Sequence, residues 1–259
     1  MNGGSTAFLP LARDAGLRPV ARIERGAGSP LGRALARAGP SVAPRRLSPG
    51  EVVVREGAPS GNLFLVESGA VALLRTAASG RRAMVGILGS GQVFGLGWIH
   101  VAPPAASAAR PGVELGGRTA PAESDVATDA SEPEARALAP SLVSAFDPEA
   151  LRAAAASDPR LALHLVTALA HRLQEAERTL FRMLLLPVAA RLEGTLRTLA
   201  AVHGRPVAEG RRVDLRLTQE DLAALAGTSR ESVNRALRDL AARDRVLRIG
   251  GRYVVRDVS

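Results

Sequence analysis

The chain has no cysteine and no lysine, and only one tryptophan, one tyrosine and five phenylalanines in 259 residues. Without cysteine it can form no disulfide, no thiolate metal site and no cysteine-bound iron–sulfur cluster. Without lysine, all 34 basic side chains are arginines, each a planar fork suited to phosphate or guanine. No apolar run approaches the roughly 18 residues of a membrane span, and the N-terminus has no signal-peptide core, which predicts a cytoplasmic protein with no membrane partner. A catalytic constellation is missing as well. There is no G-x-S-x-G elbow, no Walker A loop and no cysteine nucleophile, so the expectation is not an enzyme. The four histidines predict no metal: His164 and His171 stand two helical turns apart, about 10 Å of rise, too far to share an ion. His100 reads as packed or solvent-exposed rather than ligating, and no cofactor is expected.

What is present is a net charge of +9 and enough length for two domains with cores of their own. From residue 187 onward 14 arginines face 9 acids, a basic region of the kind that phosphate contact requires.

Within that region, residues 217–244 read as two helices joined by a tight turn. Thr218 is a good N-cap with Asp221 at the capping-box position, and Gly227 stops the first helix after Leu222 and Leu225. Thr228 or Ser229 caps the second, with Thr228 and Glu231 at full capping-box spacing. Val233, Leu237 and Leu240 share one side of that helix. Glu231, Asn234, Arg235 and Arg238 share the other, with Arg230 flanking them. Arginine can donate two hydrogen bonds to guanine O6 and N7, and a carboxylate can accept from cytosine N4, so this outer face suits a DNA major groove. The alternative is a solvated helix with a Glu231–Arg235 pair worth a few tenths of a kcal/mol. Thr218, Ser229 and Arg252 complete the predicted DNA-facing set.

Two β-rich runs at 246–249 and 253–255, separated by Gly250-Gly251-Arg252, predict a hairpin, and 213–217 alternates like a strand. The resulting order is that of a winged helix-turn-helix. Here the chain resembles the Crp/Fnr family of bacterial transcription regulators. Its Ser229-Arg230-Glu231-Ser232-Val233-Asn234-Arg235 is similar to the S-R-E-x-V-x-R recognition helix of the catabolite-activator branch. The resemblance implies Arg230 and Arg235 on guanines, Glu231 on a cytosine of the opposite strand, a palindrome with TGTGA-like half-sites, and RNA polymerase as a further partner. Asn234 stands where the best-known member has a small residue. Lack of cysteine sets the chain apart from the branch that senses oxygen through an iron–sulfur cluster.

Residues 42–98 read as short strands about ten residues apart, punctuated by glycine, which suggests an antiparallel roll or barrel. Leu47, Gly50, Glu51, Gly57, Phe64, Val66, Gly69 and Val71 fall at spacings that resemble the family's cyclic-nucleotide-binding β-roll. Nucleotide-binding members carry F-G-E-(L/I)-(A/G), whose glutamate holds the ribose, and about ten residues later R-(S/T)-A for the phosphate. This chain has Phe94-Gly95-Leu96-Gly97, with leucine in place of the glutamate, and Arg118-Thr119-Ala120 only after an Ala/Pro/Gly-rich insertion. Gly95, Leu96, Arg118 and Thr119 are therefore the candidates for a degenerate effector pocket that does not bind cAMP. The alternatives are a regulator responsive to cAMP or another small molecule, or a regulatory or interaction protein that uses the winged domain for protein contacts.

A helix is predicted from Asp158-Pro159 to about residue 186. Ala162, Val166, Leu169, Leu173, Ala176, Leu180 and Met183 repeat on it at spacings of four and three. Val166, Leu169, Leu173, Ala176, Leu180 and Met183 are the predicted interface of a homodimer, while Leu161, Leu165 and Ala168 form a second apolar set able to face the roll. Pro187 ends the helix and marks a hinge.

The expected fold is α+β: a disordered arm over 1–28, its arginines solvated rather than placed on DNA or an acidic partner; an antiparallel, jelly-roll-like β-roll over 29–157 with an expanded loop around 101–134; a dimerisation helix over 158–186; and a winged helix-turn-helix over 187–259.

Overall fold

The computed structural model describes residues 29–39, 43–58, 61–96 and 132–256. The predicted arm and expanded loop, with Gly97, His100, Arg118 and Thr119, lie outside the described residues. The chain opens with helix α1 (Pro30–Ala38), where Ser29 accepts a hydrogen bond from the amide of Gly32 at 2.9 Å. Eight strands follow: β1 (Arg45–Leu47), β2 (Val52–Val54), β3 (Leu63–Ser68), β4 (Ala70–Thr76), β5 (Arg82–Gly89), β6 (Val93–Phe94), β7 (Glu134–Ala137) and β8 (Ser141–Phe146).

These strands form two antiparallel four-stranded sheets, β1-β8-β3-β6 and β2-β7-β4-β5, the expected roll. Leu47, Val66 and Val143 of the first sheet meet Val54, Val71 and Leu73 of the second in the core between them, beside Phe64 and Phe94, which stack at 4.9 Å. Gly69 makes the β3–β4 turn possible. Its φ is +91°, and a Cβ there would stand 2.2 Å from Ser141 Oγ, so no other residue fits.

Helix α2 (Pro148–Ser157) leads through Asp158, the N-cap, into the long helix α3 (Pro159–Leu185). Leu161 and Leu165 of α3 are buried against Leu35 of α1, Leu63 and Leu65 of β3 and Phe146 of β8, with Ala168 beside them. The second apolar set thus covers the roll, as its spacing predicts.

Past Pro187 the chain forms α4 (Val188–His203), the hairpin β9 (Gly204–Val207) and β10 (Gly210–Val213), α5 (Gln219–Ala226), α6 (Arg230–Ala242), and the hairpin β11 (Val246–Ile249) and β12 (Arg252–Val255). The last four strands make one sheet in the order β11-β12-β10-β9. Three elements here differ from expectation. The strand predicted at 213–217 ends at Val213: Leu215 and Leu217 are buried as irregular chain that leads into α5, their alternation serving burial without pairing. Helix α4 and strand β9 stand where no element was predicted.

A single apolar cluster joins this unit to the roll. Ala70, Ala72 and Leu74 of β4 and Met84 of β5 pack in it with Leu196 of α4, Leu222 of α5 and Val233 of α6. The ring of His203 lies against Gly89, where an added Cβ would come within 3.0 Å of Cε1.

Candidate nucleic-acid interface

The geometry begins at Thr218. Its hydroxyl accepts from the amide of Asp221 at 3.0 Å, and the Asp221 carboxylate accepts from the amide of Thr218 at 2.9 Å, a complete capping box that starts α5. Gly227 ends the helix in the left-handed region, φ 60° and ψ 42°. The next helix is capped by Ser229, which accepts from the amide of Ser232 at 3.2 Å. That settles the choice between Thr228 and Ser229. With Ser229 at the cap, Glu231 is the second helical residue, and the Thr228–Glu231 capping box is not formed.

Val233, Ala236 and Leu240 of α6 are buried, and Leu237 packs beside them. The opposite face presents Arg230, Glu231, Arg235 and Arg238 to solvent, with Asn234 half-buried between them. The predicted reading face is outward. Glu231 carries its charge firmly: its own backbone amide and the Ser229 hydroxyl hold the carboxyl below the usual carboxylate range, and Arg230 adds to this. A groove of about 500 Å³ runs between α6 and the β11–β12 hairpin, lined by Asn234 and Arg238 on one side and Arg248 and Tyr253 on the other. The Arg248 guanidinium lies 5.7 Å from the centre of the Tyr253 ring. Gln219, at the start of α5, also lines the groove, and like Arg248 it belongs to no motif that marks it in the sequence.

Three site residues have other partners. Thr218 and Ser229 are exposed, but their hydroxyls serve as caps. Arg252 is half-buried, and its guanidinium donates to the backbone carbonyl of Asp214, which ties the hairpin to the chain entering α5. A backbone acceptor 38 residues away claims the side chain that sequence reasoning assigned to DNA.

In the roll, a cavity of about 380 Å³ opens beside Phe94, Gly95 and Leu96, where the candidate effector pocket was expected. Gly95 is there for backbone reasons, since a Cβ at its φ of +76° would meet the Asn62 carbonyl oxygen at 2.3 Å. Leu96 packs toward the cluster of Leu31, Leu63 and Leu161, which gives the glutamate's place an apolar occupant. The cavity is also lined by Arg172 of α3, whose guanidinium lies 3.4 Å from the Val93 carbonyl. Burial draws the Arg172 pKa below its usual value while the Glu132 carboxylate opposes that shift. The signal for Arg172 was available: it is a charged residue set between the seam positions Leu169 and Leu173.

Of the predicted dimer set, Val166, Leu173 and Leu180 are 59%, 61% and 59% exposed. Leu169, Leu173 and Ala176 line the cavity mouth. Met183, the last of the set, lies against the turn between α5 and α6, where its sulfur would lie 2.9 Å from a Cβ on Gly227. The local reason is Arg191 of α4, whose Nη1 is 3.2 Å from the Met183 sulfur and 3.4 Å from its carbonyl oxygen. Among the described residues no group of three or more His, Asp or Glu side chains is placed to hold a metal ion, and no helix is long and apolar enough to cross a membrane.

Residues 190–259 match the family model of the Crp-like helix-turn-helix domain, and residues 44–110 match that of the cyclic nucleotide-binding domain. A CRP-like cAMP-activated global transcriptional regulator of Mycobacterium tuberculosis (strain ATCC 25618 / H37Rv) is 31% identical over 206 residues, 80% of each chain. The CRP-like protein Clp of Xanthomonas campestris pv. campestris (strain B100) is 26% identical over 203 residues, 78% of this chain and 79% of that one. Among solved structures, the c-di-GMP responsive global regulator CLP of Xanthomonas campestris superposes with a TM-score of 0.64 at 24% identity, covering 83% of this chain and 94% of that one. A CRP-family transcriptional regulator from Thermus thermophilus gives 0.63 at 18%, covering 82% and 92%. Two domain matches in the family's order, a relative at this identity over four-fifths of both chains, and an arginine-bearing recognition helix facing outward agree: the chain is a DNA-binding transcription regulator, not an enzyme, and belongs to the Crp/Fnr family.

Proposed function

We propose that two copies of the chain pair through α3 and read a palindrome of TGTGA-like half-sites, at promoters where RNA polymerase is the further partner. The observation that carries this is the outward display of Arg230, Glu231 and Arg235 on a capped helix whose other face is buried. Arg230 and Arg235 supply guanine forks, Glu231 accepts from cytosine, and Asn234 adjusts the inner base preference. Arg238 and Arg248 flank the groove and suit phosphate. The exposed leucines of α3 support pairing: nothing in the chain's own described fold covers them, and a palindrome needs two reading heads about 34 Å apart. Gel-shift on a TGTGA…TCACA duplex tests the reading. Retention at nanomolar protein with loss on scrambling both half-sites is expected, and equal retention of the two duplexes would overturn it.

In this reading the roll's pocket does not take cAMP. Leu96 offers a ribose hydroxyl no acceptor, and a buried polar group left unpaired costs about 1–3 kcal/mol. The dimer is then competent for DNA without a ligand and is regulated by its abundance. A second reading, response to a different anionic small molecule, draws on Arg75 and Arg172 at the cavity wall. The relatives named for cAMP and c-di-GMP fit it, since they differ from each other in effector. Calorimetry of the full chain with cAMP, cGMP and cyclic di-GMP separates the readings. The first expects no heat with any of them, and micromolar binding of cAMP would overturn it.

A further inference from the structure

Helix α5 touches no base in the reading above, yet it is held at both ends by parts of the chain outside the DNA-binding unit. At its N-terminal end, Asp221 closes the capping box with one carboxylate oxygen. The other oxygen accepts from Nη2 of Arg136, on β7 of the roll, at 3.0 Å. Their side chains are only 10% and 25% exposed, so water screens the pair weakly. At the C-terminal end, the Met183 thioether of α3 lies against Gly227, and Arg191 fixes it there from α4. Between these two points Leu222, Ala223 and Ala224 share an apolar cluster with Ala70, Ala72 and Met84 of the roll. Only Thr228 and Ser229 separate Gly227 from α6, and the two helices share that core, so α6 goes where α5 is put.

We propose that α5 is the element through which the roll and the long helix jointly set the position of the recognition helix, with Arg136 and Met183 as the positioning residues. This rests on the reading of the chain as a dimer on a palindrome. It differs from a free swing about the α3–α4 junction, because the roll and α3 each fix one end of the same short helix. A side chain that merely filled space would alter stability alone. A positioning residue alters how well two reading heads fit one site, and leaves each head's fit to a single half-site unchanged.

The test uses the full chain and two duplexes of equal length, the palindrome TGTGA…TCACA and one holding a single half-site, measured by fluorescence anisotropy. In Met183→Ala and Arg136→Gln the ratio of palindrome to half-site affinity should fall about tenfold, with half-site affinity and circular dichroism as in the parent. Met183→Leu, close in volume, should keep the parent ratio. Gly227→Ala places a methyl against the Met183 sulfur, and adding Met183→Ala should recover part of its palindrome binding. An unchanged ratio in Met183→Ala and Arg136→Gln, in a parent that prefers the palindrome, overturns the inference alone. A parent with no preference for either duplex over random DNA overturns the site reading and this inference with it.

Discussion

Arg235 stands on the exposed face of α6, and the buried opposite face of that helix fixes its backbone while the guanidinium stays free to meet a partner. Arg235→Ala should lose about 1–3 kcal/mol of specific binding and relax base choice at one position, read by binding to a set of singly substituted sites. Glu231→Ala should change affinity less and selectivity more, because in the proposed reading the carboxylate would accept from cytosine and repel misplaced acceptors. These side chains were legible in the sequence for a local reason. Opposite faces of one helix are set by the 3.6-residue period, and among the described residues nothing distant competes for Arg235. Arg252 and Asp221 were legible only in part. The acceptor of one and the second partner of the other, Arg136, lie 38 and 85 residues away.

At the scale of elements, α3 carries two apolar faces. One is buried on the roll through Leu161 and Leu165, and the other leaves Leu173 and Leu180 in solvent. Each leucine buried between two copies contributes about 1.5–3 kcal/mol, so Leu173→Glu with Leu180→Glu should convert the proposed dimer to a monomer. Size-exclusion chromatography with light scattering reads the change. A dimer that survives both substitutions would move the interface elsewhere. The heptad pattern made the apolar stripe of α3 readable, while the contact of Met183 with Gly227 joins residues too far apart for periodicity to show. Helix α4 had a readable signal in Leu192, Leu196 and Leu199, all buried. Strand β9 had none: Gly-Arg-Pro-Val has poor strand propensity, and it is extended because β10 pairs with it along four residues.

Across the whole molecule, the roll and the DNA-binding unit share one apolar cluster, and His203 sits at its edge against β5. Burial pulls the His203 pKa down from 6.5 to about 4. The unfolded chain therefore binds this proton first, and stability falls as pH drops from about 6.5 toward 4, with no further loss from this group below that. The contribution is of order 1–3 kcal/mol. Thermal melts of the parent between pH 7.5 and 4.5 should lose more stability than those of His203→Gln. Parallel curves would place the ring in water. The packing of one domain on the other was hidden from the sequence, because Leu74 and Met84 of the roll read equally well as residues of its own core.

Leu173 and Ala176 belong at once to the wall of the roll's cavity and to the uncovered stripe of α3. In a dimer joined by that stripe, filling the hollow and mating the helices draw on the same methyl groups, so the two equilibria are reciprocally coupled. Whatever molecule enters would bind with an apparent affinity that varies with how concentrated the chain is, and titrations at a single protein concentration would mistake pairing for ligand strength.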